Sequence, residues 1–127
     1  MGNTTVRITK QKRRGDKLDA AKAVEVMAEA ARAYLSESIV NGYRPADGAA
    51  RPRKGDGKPF AFDTGTLARG LRVTKTHSTR KRAQVRIVGP ESRDEFLVKH
   101  DDILTLDGIV ADEMRIALDD YLESIDQ

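Results

Sequence analysis

The sequence predicts an α+β fold. A long N-terminal helix and a C-terminal helix pack on a small antiparallel sheet that contains a basic β-hairpin, and a long Pro/Gly-rich basic loop interrupts the chain. Three observations carry this. Apolar residues recur at helical spacing over 16–41 and again over 107–125. Between them Leu71 and Val73, then Ala83, Val85 and Ile87, alternate with polar residues at period two, as in two antiparallel strands. The loop 42–62 breaks both patterns, with prolines, glycines and almost no apolar content over 41–58.

Residues 1–15 carry Arg7, Lys10, Lys12, Arg13 and Arg14, with Val6 and Ile8 as the apolar positions. They form either an edge strand or a basic arm, and a solvated arm is the simpler expectation for a terminal segment without burial. Asp16 offers an N-cap to the first helix, whose stripe runs through Leu18, Ala21, Val24, Met27 or Ala28, Ala31, Tyr34 or Leu35, and Ser38 or Ile39. Gly42 stops it. Its many alanines favour helix and allow close approach, so a sheet is expected beneath it, or else another subunit's helix.

The loop that follows is longer than most connections in small domains, a length associated with function or disorder. It supplies Arg44, Arg51, Arg53, Lys54 and Lys58 as candidate contacts for a partner or for DNA. Gly55, Gly57 and Lys58 do not make a phosphate-binding loop: no apolar strand precedes them, no Ser or Thr follows the lysine, and Pro59 stands where a helix would have to begin. The hairpin link, 74–82, adds Lys75, His77, Arg80, Lys81 and Arg82. A charged tip of this kind either keeps the hairpin from pairing with strangers or meets DNA or an acidic neighbour.

Beyond Gly89 and Pro90, residues 95–99 and 103–106 are expected to add strand material around the Asp101-Asp102 turn. Asp107 and Gly108 then introduce the last helix, with an apolar stripe of Ile109, Ala111 or Asp112, Ile116, Ala117, Tyr121 or Leu122, and Ile125. Its other face carries Asp112, Glu113, Asp119, Asp120 and Glu123, turned to solvent or to a basic partner, and this is the candidate subunit interface. Adjacent carboxylates on a helix diverge by about 100° per residue, so these pairs do not converge on one metal ion.

At 127 residues the chain has enough length for one domain with a modest core. It has no cysteine, which removes disulfides and thiolate metal sites from consideration. No apolar run approaches the roughly 20 residues of a membrane span, and the first residues lack the apolar core of a signal peptide, so a cytoplasmic protein with no membrane partner is expected. The net charge of +3 conceals a division: residues 1–90 hold 20 Lys or Arg and 8 Asp or Glu, residues 91–127 hold 3 and 12. Such asymmetry suits either a nucleic-acid-facing surface or complementary faces that meet between subunits. His77 and His100 are the only histidines, and His100 beside Asp101 and Asp102 has no strong metal-ligand spacing. No enzyme activity, cofactor or metal is expected.

The stretch from Phe60 to Leu71 stands where the basic loop ends and the core resumes. Asp63 and Thr64 can cap a short helical turn, Gly65 allows a close corner, and Leu67 and Leu71, four apart, share one face. This layout of helix, Pro/Gly loop and Asp63-Thr64-Gly65-Thr66-Leu67-Ala68-Arg69-Gly70-Leu71 leading into a strand resembles the small neck, head-tail joining and tail-completion (virion morphogenesis) proteins of tailed phages. In that group a Thr-Gly-x-Leu motif takes this place, with Gly70-Leu71 standing where Ser-Ile is common. Glu95-Phe96-Leu97 echoes a Pro-Phe-Leu string before their last helix, whereas the Glu-Phe-Gly-Thr signature of many members is missing.

The resemblance implies a structural subunit of a ring, sixfold as in tail terminators, that joins or completes the tail at the head connector. Its partners would be copies of itself, the connector, head-closure or tail-tube proteins, and packaged DNA in the lumen. Its place would be the virion, after assembly in the host cytoplasm. The alternative is a small basic nucleic-acid-binding protein acting through phosphate contacts, although its basic segments show little aromatic interleaving.

Overall fold

The computed structural model describes residues 3–9, 19–51, 55, 57, 65–78, 82–100 and 102–125. It is α+β, with helices packed on a three-stranded antiparallel sheet. In chain order the elements are β1 (Asn3–Thr9), α1 (Ala20–Asn41), α2 (Thr66–Gly70), β2 (Arg72–Ser78), β3 (Arg82–Val88), a single 3-10 turn (Glu91–Arg93), α3 (Asp94–Lys99) and α4 (Ile109–Ile125). The sheet order is β1-β3-β2, so residues 3–9 of the N-terminal segment form an edge strand, while 10–15 lie outside the described residues. Val6 lies opposite Val85, and Val73 opposite Ile87.

Helix α1 lies on one face of this sheet, over Val6, Ala83, Val85 and Ile87, and α4 packs on α1 rather than on the strands. The face of α1 that builds the core is Ala20, Ala23, Val24, Met27, Ala28, Ala31, Leu35 and Ile39, with the expected period. Small residues along it let helix and sheet approach closely. The cap, however, is Asp19 and not Asp16: Asp19 is extended, and its Oδ1 accepts from the backbone N–H groups of Ala21 (3.0 Å) and Lys22 (3.4 Å). Two aspartates three apart both satisfy a capping pattern, and the helix begins after the second. At the other end Gly42 takes a left-handed conformation (φ 76°) and donates to Ser38 O, closing the helix where the sequence placed its stop.

The two long helices run antiparallel, and their ends are tied. The Tyr121 hydroxyl accepts from Asp19 N–H at 3.2 Å, and Ile109 N–H donates to Ala46 O at 2.8 Å. That second tie depends on residues 43–51, which are compact and not an open loop. Tyr43 bridges to Ala50, Arg44 N–H donates to Ala49 O, Gly48 N–H to Arg44 O and Arg51 N–H to Gly42 O, with Pro45 fully buried.

Two expectations about the C-terminal third are corrected. Residues 94–99 are helix and not strand. An apolar run this short fits either period. Leu97 is the buried residue, reaching under Gly89, while Val98 is 54% exposed; a strand would have buried alternate residues instead. Residues 102–104 form a turn whose Ile103 and Leu104 are buried, and no strand follows among the described residues. In α4 the inward stripe is Val110, Met114, Ala117, Leu118 and Tyr121, so the expected stripe through Ile116 is rotated. Ile116 is left 53% exposed.

In the motif stretch Gly65, at φ 82°, occupies the N-cap position of α2, and Asp63 and Thr64, expected to cap this turn, lie outside the described residues. Leu67 and Leu71 are buried together, and Ser36 Oγ donates to Ala68 O at 2.7 Å, fixing α2 to α1. A Gly65→Val variant places a β-branched side chain at a left-handed position and is expected to lose about 1–2 kcal/mol from backbone strain alone. A urea midpoint equal to that of the wild type would show that this corner does not need glycine.

Candidate functional site

The most distinctive surface is the side of the sheet turned away from α1. Strand alternation places Thr5 and Arg7 of β1, Arg72 and Thr74 of β2, and Gln84, Arg86 and Val88 of β3 on it. Arg86 is central: Thr5 and Thr74 are its direct cross-strand neighbours. Arg7 and Arg72 stand exposed on the two edge strands. Among the residues whose side chains are described this face carries three arginines and no carboxylate, and the helix that packs on the sheet, α1, covers the other side. The Nε of Arg86 is buried and makes no hydrogen bond, an arrangement that leaves a donor uncompensated until an acceptor arrives.

The second surface is the outer face of α4. Asp112, Asp119, Asp120 and Glu123 are exposed on it, and Glu113, expected with them, is half-buried. Arg115 is the single cation of the helix and pairs with Asp112 at 3.4 Å, both ends exposed, a contact that contributes little. Glu113 sits close enough to Tyr34 to act on it. Burial, then Tyr43, Glu37 and Glu113, raise the Tyr34 phenol above its ordinary value, so it stays neutral. Its ring meets Tyr43 at 6.1 Å between centroids and 55° between planes.

The basic residues expected to touch a partner fare unevenly. Arg51 is not a free contact: its side chain is only 11% exposed and pairs with Asp102 at 2.9 Å, joining the end of the compact loop to the turn before α4. Arg44 is exposed within the compact 43–51 segment. Lys75 and Arg82 occupy backbone positions in β2 and β3, and Arg53, Lys54, Lys58, Arg80 and Lys81 lie outside the described residues. The sheet-face arginines Arg72 and Arg86 went unremarked in the sequence. The available signal was their alternation with Val73, Val85 and Ile87, which places them opposite the core side.

Of the His100 cluster considered from the sequence, Asp102 pairs with Arg51 and His100 packs on Phe96 at 4.7 Å between rings, while Asp101 lies outside the described residues. Among the described residues no three His, Cys, Asp or Glu are grouped to hold a metal ion, and no helix is long and apolar enough to cross a membrane. An open groove of about 410 Å³ runs beside β1, lined by Thr5, Val6, Arg7, Met27, Leu106 and Met114; its floor is apolar and brings no catalytic pair together. Comparison with known proteins finds no matching family model, no matching curated protein and no matching solved structure.

Proposed function

We propose that this chain is a structural subunit of the neck or tail-top ring of a tailed phage, joining or completing the tail at the head connector within the virion. The observation that carries the reading is the segregation of charge. A basic sheet face and an acidic helix face both point away from α1, in different directions, on one small subunit. Closed rings are built from heterologous contacts in which one patch meets a different patch of the next copy, and opposite charge sets the register and encounter rate of such contacts. The Thr64-Gly65-Thr66-Leu67 motif and the order of elements add to this.

Reversal of Asp119 and Asp120 to lysine is expected to weaken self-association, or docking to a neck partner, while circular dichroism shows an intact fold. Particle mass by light scattering and symmetry by electron microscopy are the readouts. A monomer at every concentration that nonetheless shifts duplex DNA at low salt, and releases it steeply as salt rises, would move the assignment to the nucleic-acid-binding alternative.

A further inference from the structure

Resting on the self-association proposed above, we infer that the sheet face bearing Arg7, Arg72 and Arg86 is the surface that receives the acidic face of α4 from a second copy of this chain. The two faces match in anatomy as well as in sign. On α4 the exposed Ile116 has Asp112 one turn before it and Asp119 and Asp120 one turn after it, so an apolar residue is ringed by carboxylates on one helical face. On the sheet the half-buried Val88 and the methyl groups of Thr5 and Thr74 lie among the arginines. An apolar centre inside a charged rim is the usual composition of a specific interface.

The contact cannot close within one subunit. The sheet turns its basic face away from α1, and α4, packed on α1, turns its acidic face away from it too. Each copy therefore offers one face of each kind. Carboxylates arriving over the sheet would meet Arg7 and Arg72 at the edges and bring acceptors toward Arg86, whose buried Nε has none. Guanidinium-carboxylate pairing is also the geometry that fixes orientation most firmly. Duplex DNA is the other polyanion that a flat arginine face accepts, but it has no use for an exposed isoleucine set among aspartates on the same chain.

The experiment is a charge exchange. Arg7→Glu with Arg72→Glu removes the basic excess of the sheet face, and Asp119→Lys with Asp120→Lys removes the acidic excess of the α4 face. All four positions are exposed, so the fold is expected to survive, with circular dichroism as the check. Each two-site variant is expected to associate about tenfold or more weakly than the wild type. The four-site variant restores the wild-type net charge with the signs exchanged, and is expected to regain association. The inference is overturned if either two-site variant associates like the wild type, if the four-site variant stays as weak as its parents, or if the wild type is monomeric throughout. It is also overturned if Arg7→Glu with Arg72→Glu abolishes duplex binding and leaves association unchanged. Recovery in the four-site variant as open chains or two-fold pairs keeps this contact and removes the ring.

Discussion

A Gly108→Ala variant is expected to be destabilised by about 3–5 kcal/mol, a large fraction of the total stability of a small domain. Gly108 has φ 61°, a left-handed conformation that costs a residue with a Cβ about 1–2 kcal/mol. Sterics add more. A Cβ there would stand 2.0 Å from the carbonyl oxygen of Ala46 and 2.8 Å from its carbon. That oxygen is the acceptor for Ile109 N–H, and the segment carrying it is held by the buried Pro45 and by the bonds of Arg44 and Gly48. Nothing at this point is the flexible end of a side chain, so either the 43–51 turn or the start of α4 must move, taking the fully buried Val110 with it. Gly57 is the control: it too has a left-handed φ, of 82°, but no described residue lies within 4 Å of its added Cβ, and alanine there should cost little beyond the conformational term. Urea denaturation of the two variants separates the terms, and equal midpoints would refute the close approach.

Leu35→Ala is expected to cost about 2–5 kcal/mol, the range for removing a buried leucine and leaving a cavity. Leu35 is fully buried in the cluster where α1 meets the sheet, and it is the largest of the fully buried side chains. Ile116→Ala is the informative comparison. A core isoleucine would lose a similar amount, whereas Ile116, exposed on the outer face of α4, should change monomer stability by no more than about 0.5 kcal/mol. A large loss at Ile116 in the dissociated protein would mean that α4 is rotated toward the stripe expected from its sequence.

Periodicity revealed the parts of the fold where many residues vote together. The 22 residues of α1 bury a consistent face, and one misplaced position does not disturb the pattern. The β2-β3 hairpin, with its alternation and adjacent strands, was equally readable. Short or degenerate signals failed. The Phe96-Leu97-Val98 run fits strand and helix alike, and in the helix it forms Leu97 packs against Gly89, where a Cβ would stand 2.5 Å from it. In α4 the stripe read through Ile116 gave way to one through Val110, Met114 and Leu118, which pack in the core while Ile116 is exposed. The acidic helix face was readable because its charges sit close in sequence. The arginine face was not, because it is assembled from three strands, one of them far from the others along the chain. Likewise the Arg51-Asp102 pair spans 51 positions, and no local pattern announces it.

The order β1-β3-β2 also governs how the chain can be completed as it is made. β1 precedes the hairpin in the chain, yet its ladder partners among the described residues lie on β3, which begins only at Arg82. β2 and β3 can join as soon as the short link between them exists, whereas β1 must wait with unpaired edges until both helix α1 and that hairpin are present. Pairing of β1 thus waits on β3, the central strand, whose other edge is taken by β2.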